Sequence, residues 1–314
     1  MLFNLLSFAS KKRWKYLLLT GLTCLSAIGC SMGETARQKN TQIVTTFLPI
    51  HLFTKAVVGD TAEVDILISP GMEVHDYQAT PEDVKLLATA DILVKNGLGI
   101  EEFLDGLITN AGNSQLQKIN SSEGIEVIEQ DEHEHEHGNG HGHHHEEGNP
   151  HIWLDPILAQ QQVANIRDRL IEINPNNADI YRSNAEAYIQ QLQKLDSEFT
   201  QRLAPVKGCK FITFHDAFPY LAKRYELKQE AIVEIPEDSI TPQDIQRVQK
   251  IAKQYRVKAL LSEPGIEDKR IQQISSDLNL PLEAIDPLES GQSDPQYYFQ
   301  VMQSNLAALE RACH

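Results

Sequence analysis

The feature of this sequence that most restricts its fold is the stretch 177–204, which contains neither glycine nor proline. Its apolar residues recur at helical spacing, from Ile180 through Leu192 to Leu203. As one α-helix this stretch would be about 42 Å long, at 1.5 Å per residue. It therefore predicts a stiff connector between two halves of the chain. Two shorter helices with a bend between them are the alternative.

The residues on both sides of this connector alternate between strand-like and helix-like segments. Such alternation predicts parallel βαβ units. We expect an α/β protein of two lobes, each with a mainly parallel four-stranded sheet flanked by helices, joined by one long rigid helix. The predicted boundaries are 41–176 for the first lobe, 177–204 for the linking helix and 205–314 for the second lobe. The predicted strands are 43–50, 63–68, 91–95, a weaker 125–128, 211–214, 231–235, 259–262 and 282–285.

A short repeat favours two related lobes. Thr80-Pro-Glu-Asp83 and Thr241-Pro-Gln-Asp244 each begin a predicted helix that is followed by a strand. Threonine is a good N-cap, proline fits the first helical position, and aspartate stabilises the positive helix end. The alternative is that any favourable helix start has this composition.

The N-terminus has the pattern of an export signal. Basic residues at 11–15 precede an apolar run over 16–29 that is too short to span a bilayer comfortably. Cys30 follows Ala27-Ile28-Gly29, which resembles a bacterial lipoprotein signal with Ala27 where leucine is usual. We expect a signal peptide at 1–29, lipidation at Cys30 and a polar tether at 30–40; simple cleavage near Gly29 is the alternative. The expected location is periplasmic or extracytoplasmic, with membrane association only through the signal or a lipid anchor.

The net charge of −16 argues against nucleic acid as a partner and is compatible with cation binding. A histidine-rich loop at 131–148 strengthens the argument for cation binding. Neutral imidazole is the commonest metal ligand, and dense tracts of histidine and acid are typical of metal binding. We expect auxiliary, weak metal sites in this loop; a solvated charge run is the alternative. Its histidines are His133, His135, His137, His141, His143, His144 and His145.

Four candidate ligands follow predicted strands or the histidine-rich loop: His75, His151, His215 and Asp286. Ligands of open parallel sheets bind in the crevice beyond the carboxyl ends of the strands. If two such crevices face each other, the four side chains meet. Three imidazoles and one carboxylate suit a tetrahedral Zn²⁺ site.

The motifs around these residues resemble the manganese/zinc class (cluster A-I) of ABC-transporter solute-binding proteins, over essentially all of 41–314. The resemblance implies two α/β lobes bridged by a long helix, a metal in the cleft, and His75, His151, His215 and Asp286 as its ligands. It also implies a monomer that delivers Zn²⁺, as transported substrate, to ABC permease subunits. The motifs that carry it are Gly71-Met-Glu-Val-His75-Asp-Tyr, Asn149-Pro-His151-Ile-Trp-Leu-Asp155-Pro, Phe214-His215-Asp-Ala-Phe218, Ser262-Glu263-Pro264 and Asp286-Pro287-Leu288.

The third ligand position indicates the metal. Members of this class that bind manganese tend to have glutamate there, whereas zinc binders tend to have histidine, as this chain does at His215. Imidazole suits zinc and carboxylate-rich sites suit manganese. Zinc is therefore predicted, with manganese or iron as the alternative.

Three carboxylates are candidates for supporting the ligands: Asp155, Asp216 and Glu263. Ligating histidines usually donate their second N–H to such a group. A helix cap or a turn is the alternative role for each.

Two cysteines lie outside the N-terminal region. Cys209 precedes the first strand of the second lobe, and the last helix runs from the cleft back along the sheet to Cys313. We expect both at the face opposite the metal, joined by a disulfide in an exported protein. Two free thiols are the alternative.

Other classes of function fit less well. A zinc hydrolase needs an open coordination position and a nearby general base, and the chain has no His-Glu-x-x-His motif. We expect no enzyme. A zinc-buffering or adhesin-like surface protein remains a further alternative.

Overall fold

The computed structural model describes residues 41–128, 148–235, 240–264 and 269–314. Within these ranges, eight strands form two four-stranded sheets in which every pairing is parallel. The strand orders are β2-β1-β3-β4 and β6-β5-β7-β8, so the second sheet repeats the order of the first. This confirms the predicted pair of α/β lobes. The strands are β1 Thr41–Thr45, β2 Ala62–Ile66, β3 Ile92–Lys95, β4 Gln117–Asn120, β5 Lys210–Thr213, β6 Lys228–Ala231, β7 Leu260–Ser262 and β8 Leu282–Ala284.

The helices connect and cover these strands. The α-helices of the described residues are α1 Leu48–Val58, α2 Pro81–Thr89, α3 Leu104–Ala111, α4 Pro156–Ile173, α5 Ala178–Leu203, α6 Pro219–Arg224, α7 Pro242–Tyr255, α8 Lys269–Leu278 and α9 Tyr297–Cys313. None of them combines the length and the apolar character needed to cross a membrane.

Two of the predicted strands are misplaced. The segment 125–128 is not a strand, and the fourth strand of the first sheet is β4, Gln117–Asn120. The strand predicted at 231–235 lies earlier, as β6. Both are edge strands whose sequences are largely polar, so their hydrophobic pattern is weak and only their pairing with a neighbour identifies them.

The repeated Thr-Pro-x-Asp segments form matching helix starts. Thr80 caps α2 and Thr241 caps α7, each in a reciprocal capping box with the aspartate three residues later. Both helices lie between the second and third strands of their sheet. The local chemistry thus supports the same βαβ unit in both lobes.

The long connector is one continuous helix, α5, of 26 residues. At 1.5 Å per residue it is about 39 Å long. Its Asn184 donates to the carbonyl of Val57 at the end of α1, and the hydroxyl of Tyr188 donates to the carbonyl of Pro295 just before α9. One buried apolar cluster contains side chains of both lobes and of α5. The connector is therefore packed into the core along its length.

The disulfide Cys209–Cys313 is present, with a Cα–Cα distance of 5.8 Å. It joins the end of α9 to the residue before β5. His215 follows the carboxyl end of β5, whereas Cys209 precedes its amino end. The disulfide and the predicted ligand therefore lie at opposite ends of this strand.

Several predictions concern residues outside the described part of the chain. These are the signal peptide, the lipidation site Cys30, the tether at 30–40, and the seven histidines of the loop 131–148.

Candidate metal centre

His151 lies between the histidine-rich segment and α4, and its surroundings hold the ring in place. Its Nδ1 is 3.0 Å from Oδ1 of Asn149, which also accepts the backbone N–H of His151 at 3.1 Å. The ring lies against that of Trp153, with centroids 5.0 Å apart. When neutral His151 donates its Nδ1 proton to Asn149, the lone pair of Nε2 is left to bind a metal.

His215 follows β5 and is fully buried. Its Nδ1 is 2.5 Å from Oε2 of Glu263, and its backbone N–H donates to Oε1 of the same carboxylate at 3.0 Å. Glu263 follows β7, which pairs with β5, so neighbouring strand ends bring the two residues together. This is the carboxylate–histidine arrangement that orients a metal ligand and raises its basicity.

His75 lies in the loop between β2 and α2. The buried side chains of Val74 and Tyr77 anchor the loop on either side of it. Gly71, at φ 89°, donates its N–H to the backbone carbonyl of Glu289 at 3.2 Å. The left-handed backbone at this position favours glycine, and it brings the His75 loop into contact with the loop of the opposite lobe.

The fourth member of the cluster is Glu289, which the sequence analysis did not identify. Among the described residues, the ligand atoms that converge within 4.8 Å of one another belong to His75, His151, His215 and Glu289. Asp286, the predicted fourth ligand, is absent from this group. Its Oδ1 accepts the backbone N–H of Leu288 at 2.7 Å, and Leu288 has a φ of 67°. The carboxylate of Asp286 thus closes a turn, and that turn carries Glu289 into the cluster.

The spacing of the cluster suits a tetrahedral ion. Nε2 of His151 is 3.3 Å from Nε2 of His75 and 3.3 Å from Nε2 of His215. At tetrahedral angles, two nitrogen atoms at that separation are both about 2.0 Å from a common centre, which is the length of a Zn–N bond. Oε1 of Glu289 lies 3.7 Å from Nε2 of His75 and 3.9 Å from that of His151. These four atoms can therefore surround one small cation.

Burial differs between the ligands. The side chains of His75, His151 and His215 are at most 2% exposed, whereas that of Glu289 is 16% exposed. Oε1 of Glu289 is itself buried and has no hydrogen-bond partner among the described residues. A buried carboxylate oxygen without a donor is costly, and a bound cation would satisfy it.

The ionisation of the cluster follows from these contacts. Burial alone would lower the pKa of His215, but the carboxylate of Glu263 outweighs it and raises the pKa to about 9. Burial alone would raise the pKa of Glu289, but the adjacent His75 and the nearby His215 hold it below its ordinary value. For Asp286, burial raises the pKa to about 6. The cluster therefore contains an ionised Glu289, while His215 must lose a proton before Nε2 can bind a metal.

The other two candidate supporting carboxylates make their described hydrogen bonds with groups other than the rings of the three histidines. Asp155 caps α4 by accepting the N–H groups of Ile157 and Leu158, and it pairs with Arg224 at 2.8 Å. Its contacts are those of a helix cap and an ion pair. Asp216 accepts a bond from the side-chain amide of Asn149 at 3.2 Å, so it supports the residue that orients His151.

Asn149 and Glu289 belong to the cluster or support it, and the sequence patterns predict a role for neither. Asn149 lies two residues before His151 in a motif that was recognised, but its role depends on the ring orientation. Glu289 lies three residues after Asp286 in the same loop. A second carboxylate so near a predicted ligand is a signal that a search of the whole loop would have found.

Comparison with known proteins identifies similar chains. The family model described as zinc-uptake complex component A, periplasmic, matches residues 43–312. The high-affinity zinc uptake system protein ZnuA of Bacillus subtilis (strain 168) is 33% identical over 310 residues, which cover 95% of this chain and 97% of that protein. The zinc-binding lipoprotein AdcA of Streptococcus pneumoniae (strain ATCC BAA-255 / R6) is 33% identical over 301 residues, 94% of this chain but only 60% of AdcA.

Solved structures share the fold. The Zn(II)-bound AdcA of Streptococcus pneumoniae superposes with a TM-score of 0.74 at 30% identity, over 87% of this chain and 58% of that one. The laminin-binding protein Lbp of Streptococcus pyogenes superposes with a TM-score of 0.75 at 28% identity, over 88% of this chain and 99% of that one.

Proposed function

This chain belongs to the family of periplasmic zinc-uptake complex components, and on that premise we propose that it captures Zn²⁺ outside the cytoplasm and delivers it to an ABC importer. The ion is its transported substrate. We propose His75, His151, His215 and Glu289 as the ligands.

The observation that carries this proposal is the convergence of three imidazole nitrogens and one carboxylate oxygen from both lobes. The nitrogen spacing of 3.3 Å fits a tetrahedral ion with Zn–N bonds of about 2.0 Å. Three nitrogen donors favour zinc over manganese, which prefers oxygen-rich sites.

The burial of the ligands supports a binding rather than a catalytic role. A hydrolytic zinc site keeps one coordination position open for water or substrate. In the proposed site Glu289 takes the fourth position, and the three histidines are at most 2% exposed. Capture and release of the ion suit such a site better than catalysis.

The family supports a proposal for the location and the partners. We propose export by the N-terminal signal, anchoring through a lipid on Cys30, and transfer of the ion from a monomer to the permease subunits. The description of the family as periplasmic and the name of AdcA as a lipoprotein support an extracytoplasmic location.

Competition titration of the metal-free protein against a chromophoric zinc chelator tests the ligand set. Substitution of His75, His151, His215 or Glu289 by alanine should weaken zinc binding by more than about 100-fold, since even residues that only support a ligand contribute 10–100-fold. His314→Ala is the matched control, because it removes an exposed histidine at the C-terminus. Wild-type affinity in His75→Ala and His215→Ala would refute the site.

A further inference from the structure

Asn305, in the middle of α9, makes an unusual pair of contacts for a side chain outside the metal centre. It is 1% exposed. Its Oδ1 accepts the backbone N–H of Asp286 at 2.8 Å, and its Nδ2 donates to the backbone carbonyl of Asp286 at 2.8 Å. Both halves of the amide are thus used to hold one peptide segment.

The held segment is where the second sheet ends and the ligand loop begins. The backbone N–H of Ile285 still bonds to Ser262 of β7, at 2.9 Å. At Asp286 the side chain of Asn305 makes the two backbone hydrogen bonds that a neighbouring strand would make within a sheet. From this fixed point the turn closed by Asp286 and Leu288 leads directly to Glu289.

The helix that carries Asn305 is itself well fixed. Met302, Leu306 and Leu309 of α9 are fully buried. The hydroxyl of Tyr298, near its start, donates to the carbonyl of Trp153 at 2.8 Å, and the indole N–H of Trp153 donates to the carbonyl of Pro287 at 2.8 Å. Asn305 therefore belongs to a rigid support on which the ligand loop is built.

We propose that Asn305 is a positioning residue for zinc: by holding the backbone of Asp286 it fixes the turn that places the carboxylate of Glu289 against the three histidines. It does not touch the ion. This inference rests on the proposed function, because it assigns a role toward the fourth ligand of that site. A ligand whose loop is left loose must be ordered when the ion binds, and that cost lowers affinity.

A double-mutant cycle on zinc affinity tests the proposal. Asn305→Ala should weaken zinc binding roughly 10–100-fold, as loss of a supporting residue does. In a Glu289→Ala background the same change should alter affinity by less than about threefold, since residues that act through one another are not additive. Affinities would be measured by chelator competition, and the stability of each metal-free variant by urea denaturation.

Asn113→Ala is the matched control. Asn113 is also an asparagine that holds backbone, donating to the carbonyls of Leu87 and Ala90 at 2.9 and 2.8 Å. Ala90 lies two residues before the start of β3, so these contacts are at the end of the first sheet away from the metal centre. This variant should lose stability and keep its zinc affinity.

The outcomes separate the two proposals. If the wild type binds no zinc, the proposed function fails. If the wild type binds zinc but Asn305→Ala changes only stability, or weakens binding equally with and without Glu289, the positioning role is overturned. Should Asn305→Ala not fold, Asn305→Leu keeps the side-chain volume and loses both hydrogen bonds to Asp286, and the same non-additivity with Glu289→Ala is required of it.

Discussion

The carboxylate of Glu263 holds His215 at two points: Oε2 lies 2.5 Å from Nδ1 of the ring, and Oε1 accepts the backbone N–H at 3.0 Å. This fixes the ring of His215 and raises its pKa to about 9 although burial opposes the shift. If His215 is a ligand as proposed, its protonation at neutral pH links zinc binding to proton release.

At pH 7, zinc binding should release about one proton from His215, and affinity should rise with pH until it levels off above about pH 9. Calorimetry in buffers of different ionisation enthalpy measures the released proton. Glu263→Gln should release fewer protons at pH 7 and bind roughly 10–100-fold more weakly at pH 9.5, where protons no longer compete. Release of no proton by the wild type would contradict the assignment.

The metal-free protein should show the opposite dependence on pH. Because the folded-state pKa of His215 lies above its ordinary value of 6.5, its pairing with Glu263 stabilises the fold fully below about pH 6.5. That contribution is lost as pH rises through about 9. The urea midpoint of the metal-free wild type should fall over this interval, and the fall should be smaller in Glu263→Gln. A midpoint with the same pH dependence in both proteins would argue against the pair.

Two substitutions at Asp286 distinguish a ligand from a turn residue. Asp286→Asn keeps an oxygen that can accept the N–H of Leu288, so it should bind zinc within about threefold of the wild type. Asp286→Ala removes the acceptor and should weaken binding about tenfold, in line with loss of a supporting contact. If Asp286→Asn binds as weakly as Glu289→Ala, the carboxylate of Asp286 is a ligand after all.

Deleting residues 131–147 should leave the tightest zinc-binding event nearly unchanged and reduce the number of ions bound to one. The deletion is feasible because the N–H of Asn149 bonds to the carbonyl of Ile128 at 3.0 Å, so the remaining ends already lie together. Calorimetry gives affinity and stoichiometry in one experiment. Loss of the tightest event would make the loop the primary site.

Reduction of Cys209–Cys313, or Cys313→Ser, should lower the free energy of unfolding by about 2–4 kcal/mol, because the bond closes a segment with a sequence separation of 104. Urea denaturation with and without reductant measures the difference. Zinc affinity should be retained, because the disulfide and the proposed ligands lie at opposite ends of the strands. With Cys24 and Cys30 replaced by serine, two titratable thiols in the denatured, unreduced protein would show that the bond does not form.

Local chemistry made much of the fold predictable. The helix predicted to begin at Thr241 is observed as α7, because a capping box with proline at N1 marks its start and its apolar residues recur with a 3.6-residue period. The helix α4 was not predicted. Its buried face includes Gln162, whose amide donates to Asn96 and Ser121, so part of that face is polar and its hydrophobic pattern is weakened.

Sequence by itself determined the alternation of strands and helices, the long connector, and the three histidines of the proposed metal centre. The strands, helices and connector follow from local patterns of apolar residues. The histidines follow from their positions after a predicted strand or after the histidine-rich loop. Only the tertiary structure distinguishes Glu289 from Asp286 as the proposed fourth ligand. Asp286 and Glu289 offer the same functional group three residues apart, and what separates them is a hydrogen bond to Leu288 and the hold of Asn305 from another element. Those contacts exist only once the sheet, the ligand loop and α9 have come together, and no periodicity in the sequence reports them.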